Sequence, residues 1–404
     1  MYTVQSAVAH VDTADNSCVV WIVQSLVTSL LLLTTPPLVT MPIYKEPKFR
    51  GPKRTKSAKP LCRVELHIHL TGSLRMSTVW ELCRAKGLLL PGSGSIEDLT
   101  SHVEMAGPGC LTDFLAGFQY TDPALKGDLA ALERVAWEFC EDAAHNGLLY
   151  VESRFCPNLL VGDAGLTSDD VVEAVLRGFQ RGEQEYGVTT RALLCCIRGL
   201  PQFSEDILRL CVKYQHRGVV GIDIAGDEEG LRPEDPDMFE PSTYQVFQKA
   251  KELGINRTVH AGEVGPAKCV QQALDRLHAM RIGHGYRVLQ DQGLYARCLA
   301  DRVHFETCPT SSILTGAQSL SQFYHAVARF TDDGANYSIS SDDPMVTGTW
   351  TEQEYQLVRS WGLTEAHLVT ANINALKSSF LPEGEKMVLL QKLCAAFGME
   401  IEQV

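Results

Sequence analysis

The stretch VELHIHLTGS, residues 64–73, places two histidines one residue apart within an apolar, β-branched run. Alternate residues of a β-strand share a face, so His67, His69 and Thr71 are expected to point to the same side. Two imidazoles on one face can hold a metal ion between them, but ordinary buried histidines produce the same pattern. The pair alone therefore leaves the metal interpretation open.

Polar residues also stand at the ends of other β-rich runs. They are Gly226 in AGDE, His260 and Glu263 in HAGE, His284 in GHGY, and Asp342 and Asp343 in SDDP. Each has an ordinary explanation by itself, since an aspartate before proline usually forms a turn and a lone histidine is usually a satisfied side chain. We leave in that ordinary class His145, His216, His278, His304 and His325. The shared position of the others at strand ends indicates one pocket.

Three neutral imidazoles and a carboxylate form a suitable nitrogen and oxygen site for zinc, with an open position for water. We expect the ligands to be His67, His69, His260 and Asp342. A water bound there could be ionised near neutral pH and would become a nucleophile.

Three further residues supply acid and base groups for such a nucleophile. Glu263 lies three residues beyond a ligand and suits a general acid, while His284 and Asp343 remain to take the proton of the water and to orient the nucleophile. The residues by themselves therefore predict metal-assisted hydrolysis and leave the substrate open.

The elements that must position these side chains are eight β-rich runs alternating with helical patterns. The candidate strands span residues 63–70, 148–155, 191–197, 219–225, 257–261, 281–284, 303–308 and 336–340. Most are continuous apolar runs, which is typical of strands buried on both faces. Eight β-α units predict a parallel sheet closed into a (β/α)8 barrel of the TIM type, whose chemistry lies at the carboxyl ends of its strands.

Helix boundaries between the strands carry ordinary signals. The segment 167–187 opens with Thr167 and Ser168 as candidate caps and stops at Gly187. The first connection, residues 71–147, is much longer than the others, so we expect extra helices and a lid inserted after the first strand.

Composition narrows the class of protein. The chain has 404 residues, 45% hydrophobic and 21% charged, which is ordinary for a globular protein. The net charge of −13 argues against a nucleic-acid partner. Thirteen cysteines without any C-x-x-C pattern are typical of reduced thiols in a cytoplasmic protein.

The N-terminal region differs from the rest. Residues 18–39 are apolar, but no Lys or Arg precedes them, so the positive region of a signal peptide is missing. A Lys-, Arg- and Pro-rich linker follows. We expect residues 1–57 to be a disordered or dispensable extension and residues 58–404 to form one hydrolase barrel. A genuine targeting signal is the alternative, and only then would the chain meet a membrane.

Several motifs together resemble the metal-dependent adenosine deaminases of the amidohydrolase superfamily. The motifs are VELHIHLTGS, RTVHAGEVG, RIGHGYR, SISSDDP, GIDIAGDE, DFLAGF and ANINALKSSFLPEGEK. The resemblance covers about residues 61–400, and the combination of HAGE, GHGY and SxDDP separates this branch from other amidohydrolases. The other zinc deaminase pattern, H-x-E with P-C-x-x-C, is absent.

The resemblance implies one zinc ion per chain on the four ligands named above, and it implies that Glu263 protonates purine N1. It also implies that His284 and Asp343 handle the hydroxide and that the backbone of Gly226 contacts the purine, while His69 lies near the substrate. Adenosine and 2′-deoxyadenosine would become inosine and 2′-deoxyinosine with loss of ammonia, in purine salvage. The family resemblance also allows peripheral association with the cell surface.

A set of apolar residues in the long first connection matches a gate over the pocket: Leu111, Phe114, Leu115 and Phe118. The alternative is that these residues form an ordinary amphipathic helix face packed on the barrel.

One departure concerns the 5′ end of the substrate. Family members usually carry Asp where this chain has Thr71, and that acid is expected to bind the ribose 5′-hydroxyl. Related deaminases of purine nucleotides carry Asn there. Two alternatives to a nucleoside deaminase therefore stay open: a deaminase of a 5′-phosphorylated or N6-modified adenine nucleotide, and an inactive paralogue acting as a binding protein. The latter would be expected to have lost a ligand or Glu263, and both are present.

Overall fold

A computed structural model of the chain describes residues 62–163, 165–318 and 325–400. The predicted extension over residues 1–57 and the predicted boundary at residue 58 lie outside these ranges. Within them, no helix has both the length and the apolar character needed to cross a bilayer.

Among the described residues, eight strands form one parallel sheet in the order β1 to β8. They are β1 Arg63–His69, β2 Leu148–Phe155, β3 Thr189–Ile197, β4 Val219–Ala225, β5 Asn256–Ala261, β6 Arg281–His284, β7 His304–Thr307 and β8 Asn336–Ile339. All eight predicted strands are present within two residues of their expected ends. Their continuous apolar runs reflect burial on both faces: β2 is buried along its whole length.

In the described part of the chain, sixteen α-helices surround and cover the sheet. They are α1 Met76–Ala85, α2 Ile96–Val103, α3 Leu111–Ala116, α4 Phe118–Leu125, α5 Leu129–His145, α6 Ser168–Tyr186, α7 Ser204–Tyr214, α8 Pro241–Glu252, α9 Ala267–Asp275, α10 Gln292–Ala300, α11 Pro309–Leu314, α12 Ala326–Asp332, α13 Pro344–Thr347, α14 Thr351–Ser360, α15 Glu365–Ser378 and α16 Glu383–Phe397. Short 3₁₀ turns lie at Pro157–Leu159, Pro201–Phe203, Gln215–Arg217 and Tyr286–Gln290.

The first connection carries five of these helices, α1 to α5, as predicted for the long segment after β1. The predicted start of α6 is also confirmed: Thr167 forms a capping box with Asp170, and the helix ends at Gly187 in a left-handed conformation.

The ring closes where β1 meets the chain just beyond β8. A parallel bridge joins Ile68 to Asp342. The backbone N–H of His69 donates to the carbonyl of Asp342 at 2.9 Å, and the N–H of Asp342 donates to the carbonyl of His67 at 3.1 Å. The (β/α)8 barrel predicted from the sequence is therefore the fold of the described residues, and its closing seam runs through three predicted metal ligands.

Candidate active site

The carboxyl ends of the strands surround one cavity of about 350 Å³. Twelve of the thirteen predicted site residues line it, and ten of these are His69, Thr71, Leu111, Phe114, Leu115, Phe118, Gly226, His260, Glu263 and His284. Asp342 and Asp343 also line it, and His67 lies directly beneath, fully buried. The structure thus brings together side chains from β1 and from the segment that follows β8.

The predicted ligand atoms lie close to one another. Nε2 of His67 is 3.3 Å from Oδ1 of Asp342, and Nε2 of His69 is 3.4 Å from the same oxygen. Nε2 of His69 is also 3.3 Å from Nε2 of His260. Ligand atoms about 2.0–2.1 Å from a tetrahedral zinc ion lie about 3.3–3.4 Å from one another, so these spacings fit a shared cation.

Buried acids orient two of the imidazoles. Nδ1 of His67 is 2.8 Å from Oε2 of Glu306, and Nδ1 of His260 is 3.0 Å from Oδ2 of Asp223. A carboxylate at Nδ1 selects the tautomer in which Nδ1 carries the proton and Nε2 is a free lone pair. Nε2 of His67 is buried without a hydrogen-bond partner among the described residues, as expected for an atom whose partner is a metal.

His260 and His284 have the charge state that a metal ligand requires. Burial lowers the pKa of His260 to about 4, and burial lowers the pKa of His284 well below its usual value. Both rings are therefore neutral near pH 7, and neutral imidazole is the form that binds metal.

Two groupings of ligand atoms are compatible with an ion. One contains His67, His260, His284 and Asp342, and the other contains His69, Asp342 and Asp343. His284 therefore stands as near to the cluster as His69 does, and Nε2 of His284 is 3.9 Å from Oδ2 of Asp342. Donor type and spacing together fit zinc.

The backbone at two of these residues is strained. His284 has φ of 60° and Asp342 has φ of 64°, in the left-handed region that residues other than glycine rarely adopt. Such conformations cost about 1–3 kcal/mol each and concentrate at functional sites.

Glu263 occupies a buried position beside the cluster. Its Oε2 is 3.6 Å from Nε2 of His284, and its Oε1 is buried without a partner among the described residues. Burial raises the pKa of Glu263 well above its usual value, and the charges of Asp342 and Glu228 add to that rise. A raised pKa favours the protonated form of the carboxyl, which is the form that can donate a proton.

The loop that carries Glu263 is held by a second acid. The carboxylate of Glu228 accepts from the backbone N–H of Gly262, Glu263 and Gly265 at 2.9–3.0 Å. Glu228 is in turn paired with Arg198 at 3.2 Å. The HAGE motif therefore has its shape because Glu228 fixes three of its amides.

The Thr-Gly-Ser turn after β1 makes room for Asp343. A Cβ atom at Gly72 would lie 1.6 Å from Oδ1 of Asp343, so only glycine fits between β1 and that carboxylate. The backbone carbonyl of Gly72 also accepts from the N–H of Met345 at 2.7 Å. This contact explains why the histidine-bearing strand runs directly into a glycine turn.

The wall opposite the cluster is apolar. Leu111 and Phe114 on α3 are buried, and Leu115 and Phe118 are half-buried against the core. All four also line the cavity. Their positions are therefore compatible both with a gate over the pocket and with a helix face packed on the barrel.

Comparison with known proteins gives the chain its family. The sequence model of the adenosine deaminase family matches residues 62–396. The chain belongs to the adenosine deaminase family. Adenosine deaminase of Rattus norvegicus is 43% identical to this family member over 343 residues, which are 82% of this chain and 96% of the rat protein. Adenosine deaminase of Serratia proteamaculans is 36% identical over 334 residues, 81% of this chain and 97% of the bacterial protein.

Solved structures are similar over the same region. An adenine deaminase from Arthrobacter aurescens has a TM-score of 0.74 at 26% identity and covers 83% of this chain and 99% of its own. The N6-methyl-AMP deaminase of Arabidopsis thaliana has a TM-score of 0.70 at 27% identity, with 83% and 97% covered. With such relatives over most of its length, this member of the adenosine deaminase family is a hydrolytic deaminase.

Sequence reasoning missed the buried charges beneath the site of this deaminase. Arg154 bridges Asp223 at 2.9 Å and Glu306 at 2.7 Å, and Arg281 bridges Glu306 and Glu152 at 2.6 Å. All five side chains are buried. The sequence did contain a signal for these residues, since each is a charged residue within an otherwise apolar strand.

Proposed function

We propose that this chain hydrolyses adenosine and 2′-deoxyadenosine to inosine and 2′-deoxyinosine with release of ammonia, in purine salvage and catabolism. The observation that carries the proposal is the buried carboxyl of Glu263, which lies beside the histidine and aspartate cluster on the wall of the same cavity. An acid that keeps its proton beside a site for a hydrolytic metal is what replacement of an exocyclic amine by water requires.

We assign one zinc ion to His67, His69, His260 and Asp342. When bound, zinc would supply Lewis acidity and lower the pKa of a water molecule, which provides a nucleophile near neutral pH. The chain contributes the orientation of the donors: Glu306 and Asp223 turn Nε2 of His67 and His260 toward the same point.

The remaining residues of the site transfer protons and bind the purine. Glu263 delivers its proton to purine N1, which increases the electrophilicity of C6. His284 and Asp343 accept one proton of the attacking water and pass it to the departing amine, which leaves as ammonia. The second proton of that water leaves the oxygen on C6 as the carbonyl forms and restores the carboxyl of Glu263. Gly226 has φ of 112° and lines the cavity. Because glycine has no side chain of its own, its backbone can contact the purine directly.

The 5′ end of the substrate faces Thr71, in our proposal as a free hydroxyl. Arg198 is the one lysine or arginine among the described residues that line the cavity. Its guanidinium is already bound to Glu228 and to the carbonyls of Met238 and His260. A 5′-phosphate would need an unoccupied cation, so this lining favours a nucleoside over a nucleotide.

The compartment and domain limits belong to the same proposal. We infer a cytoplasmic enzyme in which residues 58–404 form the hydrolase and residues 1–57 are dispensable for catalysis.

A comparison of substrates tests the function. The full-length protein, loaded with zinc, is assayed by the fall in ultraviolet absorbance with adenosine, 2′-deoxyadenosine, AMP and N6-methyl-AMP. Adenosine and 2′-deoxyadenosine should be the preferred substrates. Preference for either monophosphate would replace the nucleoside with a nucleotide, and no turnover of any of the four would favour a binding paralogue.

A further inference from the structure

A second cavity, of about 270 Å³, lies at the amino ends of the strands, on the face of the barrel opposite the candidate active site. The first residues of four neighbouring strands line it: Asn256 of β5, Arg281 of β6, His304 of β7 and Asn336 of β8. The two cavities share no lining residue. The second cavity is therefore separate from the site of the chemistry.

The lining of this cavity is cationic, although the whole chain carries a net charge of −13. Among the described residues, the lining contains no aspartate or glutamate and four basic side chains, Arg281, Arg302, Lys377 and Lys386. His304 adds no charge near pH 7, because burial lowers its pKa to about 4. A concave surface with charge of one sign attracts ions of the opposite sign, so this cavity favours an anion.

The buried member of the basic set is already neutralised. Arg281 is 1% exposed, and its guanidinium pairs with Glu152 and Glu306 at 2.6 Å each. It also donates to the carbonyl of Ser378 at 3.0 Å. Arg281 therefore belongs to the charge network inside the barrel, and the charge available to a ligand comes from the rim of the cavity.

Arg302 is the rim residue with the most donors available. Its side chain is exposed and has no hydrogen bond or ion pair within the described part of the chain, and the neighbouring Asp301 pairs with Arg297 at 3.5 Å instead. Its backbone has φ of 51°, a left-handed conformation in which glycine would be less strained. The fold alone therefore gives no reason for an arginine at this position.

Two further donors accompany Arg302 in the lining. Lys386 donates to the carbonyl of Lys377 at 3.1 Å and lies 3.6 Å from the exposed carboxylate of Glu383, which leaves part of its three-donor capacity unused. The hydroxyl of Ser378 accepts from the amide of Asn336 at 3.3 Å, and its own proton has no acceptor among the described residues. The cavity thus offers a guanidinium, an ammonium and a hydroxyl to one ligand.

We propose that this cavity binds a phosphate group, as inorganic phosphate or at the end of a small phosphate monoester, through Arg302, Lys386 and Ser378. The planar guanidinium can bind two phosphate oxygens at once, and the ammonium acts as a point charge beside it. The cavity is larger than one phosphate group, so the rest of a small ester also has room. The site does not depend on the substrate assigned to the carboxyl ends of the strands.

The test is isothermal titration calorimetry of the full-length, zinc-loaded protein with inorganic phosphate and with glycerol 3-phosphate. Ionic strength is held constant, because salt screens exposed charges. Arg302→Gln should weaken the binding of both ligands by about ten- to a hundredfold, the range for hydrogen bonds to charged groups. Lys386→Gln should weaken both by about tenfold. Equal affinities for the two ligands would assign binding to the phosphate group alone, and tighter binding of the ester would add contacts from the rest of the cavity.

Two further variants separate binding from folding and from general charge. Arg232→Gln removes an exposed arginine from the loop after β4, at the other face of the barrel, and should leave the phosphate affinity unchanged. Arg302→Gly relieves the left-handed strain, so its Tm should equal or exceed that of wild type while phosphate binding is lost. An arginine with only a structural role would instead give a lower Tm in Arg302→Gly.

Three results would overturn the phosphate site. They are no binding of either ligand by wild type, the same affinity in wild type, Arg302→Gln and Lys386→Gln, and an equal loss of affinity in Arg232→Gln. The second result would place the phosphate elsewhere, such as at the metal, and the third would reflect general charge. Deamination is measured separately, so its failure would overturn the proposed function and leave the phosphate site standing.

Discussion

Single buried carboxylates determine which nitrogen His67 and His260 present to the cluster. Glu306 holds Nδ1 of His67 and also accepts from Thr258 at 2.8 Å. Burial by itself would raise the pKa of Glu306, but Arg154 and Arg281 hold it well below its usual value. The acid therefore stays charged inside the barrel and supports one imidazole tautomer.

Glu306→Gln should lower zinc affinity by about 10- to 100-fold, the usual effect of losing an acid behind a histidine ligand. Competition with a chelator at fixed pH measures the change. Thr258→Val is the control, since it removes a neutral hydrogen bond from the same carboxylate and should alter zinc affinity much less. Unchanged affinity in a folded Glu306→Gln protein would refute the orienting role.

Glu263→Gln should keep zinc content and fold but lose about 10²- to 10⁴-fold in turnover, because glutamine cannot deliver a proton. The exposed Glu229→Gln in the neighbouring loop provides the matched loss of charge. Turnover by Glu263→Gln within a few-fold of wild type would mean that another group protonates the purine.

The sequence predicted residues of the site through their position at strand ends, and it missed residues that act through another side chain. His67, Glu263 and Asp343 could be predicted to lie together because residue types that can do chemistry lie in or just after apolar runs. The role of Gly72 was not predicted, because its steric fit against Asp343 depends on how separate segments pack.

At the scale of elements, strands were easier to predict than inserted helices. The β runs are continuous and buried, so their limits follow from hydrophobicity. Helix α3 has six residues, and α4 contains Pro123, so neither is long or regular enough to produce a clear 3.6-residue period. Their placement depends on tertiary contacts, such as the hydrogen bond from the N–H of Gly109 to the carbonyl of Leu314 at 2.8 Å.

An exposed hydrogen bond joins helix α3 to the loop that follows β4 at the cavity. The hydroxyl of Thr112 donates to the carboxylate of Asp227, just beyond β4, at 2.6 Å. The contact links the wall formed by Leu111 and Phe114 to the opposite side of the pocket. A hydrogen bond to a charged group contributes about 1.5–3 kcal/mol at most, and solvent exposure reduces that value.

Thr112→Val should weaken this tie and lower kcat/KM for adenosine by about three- to tenfold, the equivalent of about 0.7–1.4 kcal/mol, with little change in Tm. Thr112→Ser keeps the hydroxyl and should behave like wild type. Steady-state kinetics on both variants measure the difference, and identical values for valine and serine would show that α3 does not act as a gate.

At the scale of the whole molecule, the described barrel supplies every proposed catalytic residue. Deleting residues 1–57 should therefore leave zinc content, kcat and KM for adenosine unchanged. Parallel purification of the full and shortened chains, with thermal unfolding of each, checks this. Insolubility or lost activity of the shortened protein would place the boundary nearer the N-terminus.

The seam that closes the ring has a consequence for synthesis. The backbone of His67 bonds to a side chain 273 positions later, at Ser340. Translation adds about 5–20 residues per second, so roughly 15–55 s pass between the synthesis of β1 and that of its partner segment after β8. During that interval its outer edge is unpaired and open to misassociation. His67, His69 and Asp342 meet only across this seam. The metal site should therefore form last during folding, and metal binding would mark the end of folding.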